Sequence, residues 1–235
     1  MLDQLIHIDQ QLLLALNGSD CTWLDNVMLS ITGTITWIPL ILVMLYVLLK
    51  NRPWREVLLF VVCLALVILI TDRFSSGFCK PFFHRFRPSH EPALVGLVDL
   101  VGNHRGGLYG FISSHAANTF GAFAFIALYF RRRAVTWTVL LWACLSSYSR
   151  IYLGLHYPGD ILFGALWGLL TGTVFYYLFQ SLSRRLWMSP PASSPRRSLF
   201  LSTSLTSSTF SFKNHLLIPL TFAFTLFFVA LYAIL

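Results

Sequence analysis

The sequence predicts an all-α membrane protein, a polytopic bundle of about six transmembrane helices, and three observations predict it. Apolar residues make up 56% of the 235-residue chain and charged residues only 11%, more apolar surface than a soluble domain of this length hides. The mean hydropathy is +0.69. The apolar residues also gather in runs close to the ~20-residue length that crosses a bilayer, separated by short polar turns.

The elements follow in order. Residues 2–16 place Leu2, Leu5, Ile6, Ile8, Leu12, Leu13 and Leu16 near helical spacing among Asp and Gln, the pattern of an amphipathic helix lying at the membrane surface. Asn17-Gly18-Ser19-Asp20 ends it. This opening is not a signal peptide, because Asp3 stands where a basic region is required. A first span is expected over 27–49, followed by a basic turn with Lys50, Arg52 and Arg55. A second runs over 57–70. A polar loop then reaches Leu108 and carries Lys80, Arg85 and Arg87. The third span starts near Gly110 and stops at Arg131-Arg132-Arg133, and the fourth covers 135–148. His156-Tyr157-Pro158-Gly159-Asp160 reads as a turn, with proline near a first helical turn where its missing N–H costs little. The fifth span continues to Phe179, so that residues 1–180 form one five-span domain. Residues 181–215 are rich in Ser, Thr, Pro and Arg and read as a flexible basic linker. Residues 216–235 are long enough for one more transmembrane helix, and no internal repeat is visible.

The net charge of +8 does not point to nucleic acid: the basic residues sit between apolar runs, where they orient spans or meet headgroups of membrane lipids. Placing the Lys50–Arg55 turn in the cytoplasm puts the Arg131–Arg133 cluster and the linker there too. Those segments hold eleven of the seventeen Lys and Arg residues, leaving Arg73, Lys80, Arg85, Arg87, Arg105 and Arg150 on the outer face. Of the four cysteines, Cys63 and Cys144 lie inside apolar runs. Cys21 and Cys79 share the outer face, where a disulfide is open to them. No CxxC occurs, which argues against structural zinc.

Three polar segments meet at the outer face. Lys80, Arg87 and Arg150 supply positive charge, and guanidinium groups match phosphate oxygens in pairs. Ser113, with the backbone N–H groups of Ser114 and His115, opens a helix, and a helix N-terminus favours an anion. His156 and Asp160 are four apart and adjacent if the chain turns helically there. A carboxylate can hold an imidazole in one tautomer and leave its other nitrogen free to attack. His115, on a separate segment, can protonate a leaving alkoxide. Singly, each has a plainer reading: an arginine at a span end snorkels to headgroups, a boundary histidine is a hydrogen-bonded polar residue, and the His156–Asp160 pair is a helix-start contact. Together they suit phosphoryl transfer, in which positioning and charge stabilisation do most of the work. His84, His90 and His104 do not match a tight metal spacing and read as loop residues that touch substrate.

These residues resemble the type 2 phosphatidic acid phosphatase superfamily, the membrane lipid phosphate phosphatases, whose pattern is K-x6-R-P, then P-S-G-H, then S-R-x5-H-x3-D. Lys80, Arg87 and Pro88 fit the first element; Ser149, Arg150, His156 and Asp160 fit the third. In the second, Ile112 replaces proline and Ser114 replaces glycine, while Ser113 and His115 remain. Asn17-Gly18 and Leu24-Asp25 also look family-like, and the likeness covers about residues 8–180. The resemblance implies a hydrolase in which His156 attacks phosphorus to form a phosphohistidine, Asp160 orients it and His115 protonates the departing oxygen. Lys80, Arg87, Ser113, Ser114 and Arg150 would bind the phosphoryl group, and neither a metal nor a cofactor would be required. The implied substrate is a lipid phosphate or diphosphate, reached from the periplasmic face of a bacterial inner membrane. Ser-Ser-His-Ala-Ala-Asn and the small size favour lipid A at its 4′-phosphate, with undecaprenyl diphosphate or phosphatidylglycerophosphate as alternatives. Two other classes are a vanadate-dependent haloperoxidase, which the membrane spans disfavour, and a non-enzymatic lipid transporter or scaffold, which has no need of a nucleophile and its orienter.

Overall fold

The computed structural model describes residues 2–103, 105–187 and 214–234, and every regular element among them is helical apart from an isolated bridge between Phe86 and Tyr109. The helices are α1 (Leu2–Leu16), α2 (Thr22–Thr32), α3 (Ile38–Asn51), α4 (Trp54–Asp72), α5 (Lys80–Phe83), α6 (Ser114–Phe130), α7 (Arg133–Tyr152), α8 (Pro158–Trp187) and α9 (Leu217–Tyr232).

Small residues set the centre of the bundle. Gly164, Gly168 and Gly172 recur every four residues and so share one face of α8. They meet the backbone of α6: a Cβ at Gly164 would lie 2.6 Å from the Ser113 carbonyl oxygen, and at Gly168 and Gly172 it would press closer still on the carbonyls of Ala117 and Gly121. Small faces of this kind let two membrane helices approach backbone to backbone. The result is the most extensive helix pair among the described residues, flanked by α4 and α7. Thr71 ties α4 to α6 by donating to Asn118 Oδ1 at 2.6 Å. At the far end, Phe60, Phe125, Tyr129 and Phe179 pack ring against ring.

Several elements depart from the sequence reading. The first expected span is broken: α2 and the segment Ile35–Asn51 meet at a bend of 72°. Gly33 closes α2 by donating its N–H to the Ser30 carbonyl, which also accepts the Thr36 hydroxyl at 2.6 Å. The second helix does not end near Ile70. It continues from Trp54 to Phe83 through a π-helical turn, Arg73–Cys79. Polar residues interrupt its apolarity, but its hydrogen bonding runs on, and Phe74, Phe78 and Phe82 stack at four-residue intervals along it. Likewise α8 extends past Phe179 to Trp187, into the stretch read as linker, whose residues 188–213 lie outside those described.

Helix α1 does not merely rest on the membrane. Its Leu13 is fully buried in a small cluster with Leu94, Ile151 and Tyr157. The last helix, α9, packs on α3 and α7, with Ile218, Phe222 and Val229 buried and Phe222 stacked on Trp37. All four cysteines are free, Cys79 buried and Cys21 exposed, so no Cys21–Cys79 bridge forms. Among the described residues two helices, Trp54–Phe83 and Pro158–Leu186, are long and apolar enough to cross a membrane, and three if the bent pair counts as one span. That is fewer than the six expected, in part because α6 and α9, at 17 and 16 residues, fall short of the ~20 that span a bilayer.

Candidate active site

Two helix N-termini meet through the close α6–α8 pair. Pro158 begins α8, which puts Asp160 in its first turn and His156 just ahead of it. The Ser113 N–H donates to the Asp160 carbonyl at 3.0 Å, locking the start of α6 to the start of α8. Ser113 is the N-cap of α6, its hydroxyl oxygen accepting from the Ala116 N–H at 3.4 Å. The N–H groups of the first turn, with the positive end of the helix dipole, open beside these residues.

His156 Nδ1 faces Asp160 Oδ2 at 3.4 Å, and both side chains are buried. The same carboxylate oxygen accepts the Tyr157 N–H at 3.1 Å, and the other, Oδ1, accepts from Arg85 Nη1 at 2.8 Å. Burial, and after it the charges of Arg87, Arg150 and Lys80, push the His156 pKa well below the ordinary histidine value. The imidazole is therefore neutral at pH 7, with Nε2 turned away from its carboxylate.

Three cations surround it. Lys80 Nζ donates to Ser114 Oγ at 2.8 Å and Ser76 Oγ at 3.2 Å. Arg87 is buried, with Nε donating to the Tyr109 carbonyl at 3.2 Å. Arg150 is also buried. Its Nη1 donates to Thr32 Oγ1 at 2.8 Å, while its Nε finds no partner among the described residues. These three cations, His115 and His156 all act electrostatically on one another. None of the three pairs with a carboxylate among the described residues. A cluster of largely buried positive charge with a spare donor and no direct ion pair is matched by a multiply charged anion.

Every sequence-predicted site residue thus falls in one neighbourhood. Two auxiliary histidines lie at its edge: His84 is edge-on to Tyr109, whose carbonyl accepts from Arg87, and His90 Nε2 lies 3.4 Å from the carbonyl of Gly106, which packs against the Arg87 guanidinium. His104 is outside the described residues. Among the described residues, no group of three His, Cys, Asp or Glu side chains is placed to hold a metal ion.

The PAP2 superfamily model matches residues 56–184, which include every sequence-predicted catalytic and phosphate-binding residue. The chain belongs to the PAP2 superfamily. It is 42% identical over 192 residues to the lipid A 4′-phosphatase of Bacteroides thetaiotaomicron, covering 81% of this chain and 85% of that protein. The lipid A 4′-phosphatase of Porphyromonas gingivalis is 39% identical over 193 residues, 81% of each chain. An undecaprenyl-diphosphatase of Bacillus subtilis is 37% identical over 60 residues, a quarter of this chain and 31% of its own. Among solved structures, the transmembrane PAP2 phosphatidylglycerolphosphate phosphatase of Bacillus subtilis superposes with a TM-score of 0.55 at 21% identity, over 78% of this chain and 88% of that one, and so shares the fold. This PAP2 protein is a membrane lipid phosphatase, a hydrolase of phosphate esters.

Its departure from the PAP2 pattern has a structural use. The hydroxyl of Ser114, where the pattern has glycine, anchors Lys80 and meets Ser76 Oγ at 2.9 Å. Asn17 donates to the carbonyls of Asp99 and Tyr152 at 2.9 and 2.8 Å, and Asp25 accepts from the Tyr152 hydroxyl at 2.6 Å. These contacts fix the end of α7 that carries Arg150. Sequence reasoning missed Asp9, Thr32, Ser76 and the carboxylate-binding role of Arg85. The Gly164-x3-Gly168-x3-Gly172 spacing is a signal of the α6–α8 approach that the sequence reading did not use.

Proposed function

We propose that this phosphatase removes the 4′-phosphate of lipid A, working at the periplasmic face of a bacterial inner membrane. The observation that carries the reading is the cluster of buried Arg87 and Arg150 with half-buried Lys80, none of them in a direct ion pair among the described residues, beside a neutral His156 backed by Asp160. The choice of lipid is supported by the two lipid A 4′-phosphatases, which align with most of the chain, whereas the undecaprenyl-diphosphatase aligns with a quarter.

In the proposed reaction, Nε2 of His156 attacks phosphorus while Nδ1–H is held by Asp160. The P–N bond forms as the P–O bond to the lipid breaks, and His115, which takes up a proton once the negative phosphate is seated among the cations, gives that proton as an imidazolium to the departing 4′-oxygen. Lys80, Arg87, Arg150, the Ser113 hydroxyl and the Ser114 N–H bind the phosphoryl oxygens, where charge spreads in the transition state. Water then attacks phosphorus and gives a proton to His115. The P–N bond breaks, and phosphate leaves with both histidines restored. No step calls for a metal ion.

Phosphate release by the purified protein in detergent and EDTA tests this, over lipid A, undecaprenyl diphosphate, phosphatidylglycerophosphate and phosphatidate, beside His156→Ala. Lipid A is expected to be the preferred substrate, and the variant is expected to lose about four orders of magnitude in kcat. Preference for undecaprenyl diphosphate would replace the substrate. Equal inactivity of both proteins on every lipid they bind would leave a transporter or scaffold.

A further inference from the structure

Asp160 is held from two sides, and one side leads out of the motif. Arg85 Nη1 donates to Asp160 Oδ1 at 2.8 Å, and Arg85 Nη2 donates to Asp9 Oδ2 on α1 at 2.7 Å. The guanidinium also lies 4.2 Å from the centroid of the Tyr157 ring. The second oxygen of Asp9 accepts the Gly159 N–H at 2.8 Å, in the first turn of α8. That approach needs glycine, because a Cβ there would lie 2.6 Å from Asp9 Oδ2. Leu13, one turn along α1, is buried with Ile151 and Tyr157, so the helix that carries Asp9 is clamped against the site.

We infer that Asp9 and Arg85 are positioning residues: Asp9 fixes the Arg85 fork, Arg85 fixes the Asp160 carboxylate, and Asp160 thereby holds the His156 imidazole. The amphipathic helix α1 is then part of the catalytic apparatus. This rests on the proposed roles of His156 and Asp160. A planar fork shared between two carboxylates has one orientation, which a single partner does not impose. Arg85 is a quarter exposed on its side chain, so without Asp9 it is free to turn toward water and leave Asp160 with the 3.4 Å imidazole contact and the Tyr157 N–H. Burial works against the Arg85 charge, yet the Asp160 and Asp9 carboxylates outweigh it and hold its pKa above the ordinary value.

The test measures kcat and KM for lipid A in detergent with Asp9→Asn, Arg85→Gln, Arg85→Lys, the Asp9→Asn/Arg85→Gln double variant and Asp9→Glu, with His156→Ala as control. Each preparation is first matched for folded protein by its elution profile and thermal midpoint. Asp9→Asn and Arg85→Gln are expected to lose about 10- to 100-fold in kcat, the scale of a displaced catalytic group, with KM changed less than about twofold. Arg85→Lys keeps the charge but not the fork and should recover little. Asp9→Glu should recover part. The double variant should be no slower than Arg85→Gln alone, because the effect of Asp9 passes through Arg85. The inference is overturned if Asp9→Asn turns over like wild type while His156→Ala is dead, if only KM rises, or if the double variant loses the product of the two single effects. Should a neutral variant not fold, Arg85→Lys and Asp9→Glu decide, wild-type kcat in Arg85→Lys counting against the fork. Wild-type turnover by His156→Ala would instead remove the underlying mechanism.

Discussion

His156 is enclosed by protein, with Arg87, Arg150 and Lys80 around it and Asp160 behind it. Burial and the cations both disfavour the imidazolium, and the sign of the pH dependence follows. The free enzyme keeps a neutral imidazole down through pH 6.5, so kcat/KM, which reports the free enzyme, should show no acid limb at or above that value. A steady-state profile from pH 5 to 8 checks this. An acid limb of kcat/KM with its midpoint at pH 6.5 or higher would contradict a buried neutral nucleophile, whereas a fall toward alkaline pH, where the proton donor is lost, would not. The fold responds in the same direction: below about pH 6.5 an unfolded chain protonates this histidine and the folded one does not, so stability falls as pH drops. At this scale the sequence was readable where chemistry dictates spacing. His156 and Asp160 sit one helical turn apart, and Lys80, Arg87 and Arg150 lie in recognisable polar runs. Asp9, Arg85 and Thr32 were not readable as partners. Arg85 lies 76 residues from Asp9 and 75 from Asp160, and Thr32 lies 118 residues from Arg150. Only tertiary packing makes them neighbours.

The α6–α8 pair converts helix packing into site geometry. Its glycines bring two backbones together, and that contact holds the Ser113 N–H on the Asp160 carbonyl. Gly168→Val should therefore damage fold and function together. The added side chain meets the Ala117 carbonyl, which has no rotamer to yield, so the cost is that of overpacking, about 1–3 kcal/mol. A shift of α6 on α8 by about 1 Å would remove about 100-fold in rate. Gly107→Ala, whose new Cβ meets nothing within 4 Å, should match wild type. A Gly168→Val protein with normal thermal midpoint and normal kcat would show that this contact does not set the site. Apolar runs located most helices but not their continuity. An apolar stretch reads the same on both sides of the bend at Gly33, and the helix that carries Lys80 runs past the point where apolarity stops.

For the whole molecule, the distribution of charge becomes a statement about orientation. Tyr129 donates to Glu56 Oε1 at 2.9 Å, which puts the turn after α3 and the arginines after α6 at the same end of the bundle. The proposed catalytic cluster lies between other helix ends, the starts of α6 and α8 and the end of α7. Basic loops stay in the cytoplasm, so the site should face the opposite compartment, where the proposed substrate would be met. The protein carries its own reporter. Cys21 is exposed at the start of α2, near Ser19, which meets the Tyr152 hydroxyl at 2.6 Å on the site side. Cys63 and Cys79 are buried. Cys144 lies mid-way along α7, and Cys144→Ser removes it from the readout. In that background a membrane-impermeant maleimide should label Cys21 in right-side-out vesicles without detergent. A cysteine introduced by Arg133→Cys should react only in inside-out vesicles. The reverse pattern would put the phosphate site on the cytoplasmic leaflet, and a lipid phosphate displayed on the outer leaflet would then be the wrong substrate whatever the chemistry of His156.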